Sequence, residues 1–262
     1  MPQPARAPIA ALRSSHDRLA GLAAGLGAET AGEISYCTEW TIAQVFSHIG
    51  SGAEIGLDSL AAATEHRDPM SRDEVSKIWD TWNGRSPMEQ VVEAVTANAA
   101  LVEAYESASD EALAAANVTL FGTLTFDGFG LARFRLPEAA VHTWDIAVTL
   151  DPSARVLPDA VELVIDDLPG RMGWQGKPQG RSWAVLVETT DPARTFTLAS
   201  GEAVTLTPAV DGAAAPDGTL RLPAEAFLRL CYGRLDAANT DGTDVSGASV
   251  TLDELRATFP GF

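Results

Sequence analysis

"TIAQVFSHIGSGAEIGLDSL", residues 41–60, decides the fold of the first half of the chain. Ile42, Val45, Phe46, Ile49, Ala53, Leu57 and Leu60 recur at intervals of three and four, the spacing of one apolar helix face held for about five turns. Thr41 and Gln44 form a capping-box pair in front of it. A stripe this long must be buried against other helices, and the flanking sequence supplies them. Leu12, Leu19, Leu22 and Leu26 mark a helix ending near Gly27. Ser86 and Glu89 repeat the capping box, with Pro87 at the first helical position and Val91, Val92, Val95, Ala99 and Val102 behind it. Helical spacing returns in "LARFRLPEAAVHTWDIAVTL", residues 131–150, through Ala140, Val141, Trp144 and Val148. Pro137 either opens this helix or kinks one that began near Leu131. A further helix starts at Pro158 and stops at Pro169-Gly170.

After "QGKPQGR", residues 175–181, the apolar period changes to two, which marks a linker and a second domain. "WAVLVETT", "RTFTLAS", "AVTLTPAV" and "GTLRL" read as strands, with turns at Asp191-Pro192 and Ser200-Gly201. Pro223 then opens a helix containing Phe227, Leu228, Leu230 and Cys231, and a short helix runs through "LDELRATF". The expectation is an α+β chain: a helical bundle over residues 1–175 and a smaller α/β domain over 176–262. "NVTLFGTLTFDGFG", residues 117–130, reads as a long connection with a short hairpin, placed to wall a pocket and set substrate choice.

The formal charge of -18 repels phosphate backbones and anionic membrane surfaces, so neither nucleic acid nor membrane is an expected partner. No apolar run approaches the roughly 18 to 20 residues of a membrane span. No signal-like segment opens the sequence, and a cytoplasmic location is expected. Cys37 and Cys231 make no metal-knuckle or redox spacing, and both read as packing residues.

Chemistry concentrates in "PEAAVHTWD", residues 137–145. Glu138, His142 and Asp145 stand at i, i+4 and i+7, on one helix face. A carboxylate and a neutral imidazole one turn apart can share a divalent ion, although a surface Glu-His pair has the same spacing. His48 lies on the stripe beside the apolar face of the capped helix, where it serves either as a hydrogen-bonded boundary residue or as a further ligand. Two His and a carboxylate with an open fourth position make the ligand set of a catalytic zinc site. Asp145 would then orient an imidazole or take up a proton; otherwise it is a solvated carboxylate. His16 and His66 read as surface residues. Ser14-Ser15-His16 lacks the strand-turn-helix setting of a nucleophile elbow, and the glycines of "DGFG" and "SGEA" lack that of a phosphate cradle.

"CTEWTIAQVFSHIG", residues 37–50, and "LPEAAVHTWDIA", residues 136–147, resemble the two signature segments of the mycothiol-dependent maleylpyruvate isomerase family, a branch of the DinB-like metalloenzymes. "GTLRLPAEAFLRLCYGR", residues 218–234, and the terminal "FPGF" resemble its sterol-carrier-like C-terminal domain. The resemblance implies a DinB-like four-helix bundle whose metal, usually zinc, is held by His48, Glu138 and His142, with Arg234 contributing to the active site. Arg234 read alone is a helix-end arginine that complements the dipole. The resemblance further implies mycothiol as cosubstrate: its thiolate adds to the conjugated double bond of maleylpyruvate, the resulting single bond turns, and loss of the thiol gives the trans isomer. A mycothiol S-transferase acting on another electrophile, a metal-dependent hydrolase and a non-catalytic metal- or ligand-binding module are alternatives from the same ligands. Oligomeric state is not legible.

Overall fold

The structure, a computed structural model, describes residues 5–37, 39–210, 216–240, 242–247 and 250–261. Four long helices carry the first half: α1 (Ala7–Ala24), α3 (Ile42–Glu65), α5 (Pro87–Ser107) and α7 (Gly128–Leu150). Shorter helices fill the connections: α2 (Ala28–Ala31), α4 (Arg72–Asn83) and α6 (Asp110–Ala115). α3 packs on α5 and α7, and α1 packs on the same two, closing a four-helix bundle.

The capping boxes at Thr41 and Ser86 both form and start α3 and α5. On α3 the predicted stripe is the buried one, with Ile42, Val45, Phe46, Ile49, Ala53 and Leu60 in the core and Leu57 partly covered. On α5, Val91 and Val102 are buried but Val92 faces solvent. Pro137 lies inside α7, which begins at Gly128 on an Asp127 N-cap, so the proline interrupts a running helix and opens none. α4 is an addition to the expected elements. It carries a third capping box, Ser71 with Glu74, and docks on α3 by burying Trp82. Trp82 lies so close to Gly50 that a Cβ at position 50 would overlap its ring. Its Nε1 donates to Glu54 Oε2 at 2.7 Å, and the Arg85 guanidinium stacks on it at 3.8 Å.

The 117–130 segment holds the two-stranded hairpin β1 (Val118–Leu120) and β2 (Leu124–Phe126), then passes directly into α7. Together with α3 and α4 it encloses a cavity of about 760 Å³, lined among others by Ile55, Ser59, Met70, Trp79 and Phe121.

The chain divides into two units, 1–160 and 161–262, inside α8 (Pro158–Val164). The change of apolar period near 176 marks where strands begin. The second unit starts earlier because the 3₁₀ turn Ile165–Arg171 and α9 (Met172–Gln175) pack on its sheet, where Arg194 pairs with Asp166 and Glu162. The sheet has the order β5-β4-β3-β6-β7, from β3 (Trp183–Thr190), β4 (Arg194–Ser200), β5 (Val204–Pro208), β6 (Gly218–Pro223) and β7 (Asp244–Ser246). β3 pairs antiparallel with β4 and parallel with β6. Trp183, Val185, Val187 and Thr189 alternate inward along β3, the period-two pattern expected of a half-buried strand. α10 (Ala224–Cys231) covers β3 and β6, and α11 (Leu252–Thr258) follows. β7 is the strand the sequence does not announce.

Candidate metal centre

α3 and α7 run side by side, and each brings one turn of side chains to the same point. His48 comes from α3; Glu138, His142 and Asp145 come from α7 at the spacing that puts all three on one face. His48 Nε2 lies 3.3 Å from Glu138 Oε2, and His142 Nε2 lies 3.5 Å from the same oxygen. One ligand atom from each of the three residues falls within 4.8 Å of the others. Donors about 2.0 to 2.2 Å from a tetrahedral zinc stand roughly 3.3 to 3.6 Å apart, so the spacing and the N, N, O donor set both fit such an ion.

Exposure falls across the cluster, from 44% for the Glu138 side chain through 33% for His48 and 12% for His142 to 0% for Asp145. The Glu138–His48 edge therefore faces solvent while His142 is backed by the interior. Asp145, which could have been a solvated surface carboxylate, is wholly buried. Its Oδ2 lies 2.9 Å from His142 Nδ1. That hydrogen bond fixes the ring and points Nε2 toward Glu138 and His48, so that Nε2 is the nitrogen a metal would take in place of a proton.

Two residues that sequence reasoning missed come from the loop before α3. Cys37, expected to be plain packing, places its Sγ 2.9 Å from Asp145 Oδ2 and 4.0 Å from His142 Nδ1. The thiol donates to the carboxylate oxygen that also receives the histidine proton. Cys37, His142 and Asp145 form a second group of potential ligand atoms, sharing His142 with the first. Trp40 lies over both imidazoles, at 5.2 Å from the His48 ring and 6.1 Å from the His142 ring, and forms an aromatic wall. The loop is held by the Ile34–Thr41 bridge and by Ser35 Oγ donating to the Trp40 carbonyl at 2.9 Å. Thr38, also in the signature segment, lies outside the described residues.

Electrostatics follow from this packing. Burial pushes the His48 pKa down, an effect the Glu138 hydrogen bond only partly offsets. Burial would raise the Glu138 pKa, but hydrogen bonds from His142 and His48 overcome it and hold the carboxyl well below its ordinary range. For His142, burial favours the neutral ring, and the contacts with Asp145, Cys37 and Glu138 reverse that and raise its pKa well above 6.5. Glu138 and Asp145 flank His142 on its two ring nitrogens, so a cation bound here would meet two carboxylates.

His16 is not the surface residue expected. It is buried on α1, with Nδ1 lacking a hydrogen-bond partner. His66 is exposed and caps α3 in a left-handed conformation. Cys231 is fully buried, as a packing residue should be.

The bundle matches, over residues 12–147, the family model described as the mycothiol maleylpyruvate isomerase N-terminal domain. The chain belongs to this family. None of the curated proteins matches the sequence. Two solved structures share the fold: the mycothiol-dependent maleylpyruvate isomerase and a histidine-to-alanine mutant of it. Each has a TM-score of 0.70 and 15% identity, covering 99% of this chain and 98% of the other. The α+β order of helical bundle and then sheet unit, expected from the resemblance, is therefore shared along nearly the full length.

In the second unit, Arg234 is 7% exposed, and its Nη1 donates to the Tyr232 carbonyl at 2.6 Å. Its backbone is set by Arg229, whose guanidinium is paired with Glu225 and donates to the Arg234 carbonyl. Gly233 takes a φ of 71° and packs on the backbone at Pro260 and Gly261, so the two C-terminal family segments meet here. Phe262, the last residue of "FPGF", lies outside the described residues. No helix among the described residues is long and apolar enough to cross a membrane.

Proposed function

We propose that this protein is a thiol-using metalloenzyme of the isomerase type. A divalent cation, zinc by the donor chemistry, is held by His48, Glu138 and His142, with mycothiol as cosubstrate for a small electrophile related to maleylpyruvate. The observation that carries the reading is the convergence of two imidazole Nε2 atoms on one Glu138 oxygen at 3.3 and 3.5 Å, on the solvent-facing edge of a buried cluster. When bound, the cation would supply the positive charge that makes a thiol ionise near neutral pH.

The remaining work belongs to the chain's own groups. Asp145 keeps the His142 proton on Nδ1 and so keeps Nε2 available as a ligand. Cys37 fixes the Asp145 carboxylate by donating to Oδ2. Trp40 restricts both imidazoles and excludes water from one side. Glu138 and His48 face solvent, which leaves an approach for a thiol. Arg234 is assigned its part in catalysis by the family resemblance, and cytoplasmic location belongs to the same reading.

Turnover of maleylpyruvate with and without mycothiol tests it. The expected result is conversion to the trans isomer that requires the thiol and consumes none of it. Stoichiometric consumption of thiol would instead identify an S-transferase, hydrolysis without thiol a hydrolase, and inactivity on every electrophile tried a binding module.

A further inference from the structure

Arg135 stands on α7 one turn before Glu138, close enough to feel that carboxylate's charge but without forming an ion pair with it. Its Nη2 donates to the Ile49 carbonyl of α3 at 2.9 Å. Its Nε is buried with no hydrogen-bond partner, and among the described residues it forms no ion pair. α3 makes room for this group. Gly52, one turn beyond His48, faces it so closely that a Cβ there would lie 2.5 Å from Nη1 and 3.1 Å from Cζ. A guanidinium has five N–H donors in a planar fork suited to carboxylate. Here the fork occupies a slot that one methyl group would close, between the two helices carrying the candidate ligands, and its one acceptor in the protein is a helix carbonyl.

A partly buried guanidinium that forms no ion pair and leaves a buried Nε without an acceptor costs stability, so packing alone gives no reason to keep it. The titratable groups that act on it are Glu138 and the Tyr105 phenol of α5. Glu138 is already shared by His48 and His142. With a divalent cation in that set, Glu138 and Asp145 together leave net positive charge at this end of the bundle, and a small anion would balance it.

We propose that Arg135 is a carboxylate-binding residue of the substrate site, which makes the favoured electrophile a small carboxylate whose reacting carbon lies near the His48–Glu138–His142 cluster. Its placement relative to reaction rests on the metal reading; the free guanidinium donors do not. The stripe His48, Gly52, Ile55 and Ser59 runs along one face of α3 from the cluster past Arg135 to the 760 Å³ cavity, so the rest of such a substrate has a surface to lie on.

The test is calorimetric titration of zinc-loaded and metal-free protein with maleate and with neutral maleamide, no thiol present. Loss of a charge-assisted hydrogen-bonded pair predicts that Arg135→Gln binds maleate about ten- to hundredfold more weakly, with maleamide binding and zinc affinity within about twofold of wild type. Arg135→Lys, which keeps the charge but loses the fork, should fall between. Gly52→Ala is an independent check, since its methyl displaces the guanidinium without removing it, and it should weaken maleate in the same direction. If wild type holds no zinc, the proposed function fails, yet the metal-free arm still compares wild type with Arg135→Gln. Equal maleate affinity in the two proteins, or no maleate binding by wild type in either form, overturns the assignment and leaves Arg135 as a strap between α7 and α3.

Discussion

Asp145 ties the reactive edge of the cluster to the protein interior. A fully buried carboxylate is retained only where hydrogen bonds compensate it, and this one receives the His142 Nδ1 proton and the Cys37 thiol on the same oxygen. Asp145→Asn can still meet Nδ1 but carries no charge to hold the tautomer. We expect zinc affinity to fall by roughly 10- to 100-fold, measured by competition with a chromophoric chelator, with the helical content unchanged. His16 offers a prediction of a different kind. Burial and the nearby Arg13 disfavour its charged form, so its folded pKa lies below 6.5. The unfolded chain then binds more protons across that window, and stability present above about pH 6.5 is lost as pH falls through it. Between about pH 7.5 and 5.5, wild type should lose more thermal stability than His16→Gln; equal losses would show that His16 is not responsible. His48, Glu138, His142 and Asp145 were all legible as candidates, because helix spacing places residues on a face and residue type names the chemistry. Cys37 and the buried state of His16 were not. A thiol 108 positions from its carboxylate partner, and a histidine flanked by Ser15 and Asp17, carry no local signal of the tertiary neighbours that decide their environments.

Among the elements, those with both a start signal and a continuous apolar stripe were legible in position: α3 and α5 begin where their capping boxes stand, although Val92 of the α5 stripe faces solvent. α4 shows why the signal alone does not suffice. Its capping box at Ser71 and Glu74 is as complete as the others, but it buries only Trp82 in full, and its apolar residues sit among charged ones. What fixes it is a complementary surface on another helix, the ring-sized space at Gly50. Gly50→Ala should therefore destabilise the protein by about 1–3 kcal/mol through overpacking, read by chemical denaturation, with the loss of Trp82 burial visible in its fluorescence. An unchanged midpoint would mean that α4 moves away at little cost. Pro137 was ambiguous for a related reason: a proline can open or interrupt a helix, and only the Asp127 cap ten residues upstream resolves it. β7, three residues long, pairs by register with β6, and nothing so short has a readable period.

For the whole molecule, the change from a period near 3.6 to a period of two gave the order of bundle and sheet, because each architecture imposes its own spacing on buried residues. It did not mark where the second unit begins, since the turns between 161 and 175 are helical yet pack on the sheet. Net charge of -18 makes the small positive region formed by Arg135 and the proposed cation local, and it argues for small anions over polyanions as ligands. The account depends on one ion being shared by α3 and α7. Metal content per chain, measured by elemental analysis after purification without chelators, tests this most directly. Wild type should carry about one equivalent of zinc, and His48→Ala and His142→Ala should each lose most of it while keeping the fold. Wild-type zinc levels in both variants would contradict the account.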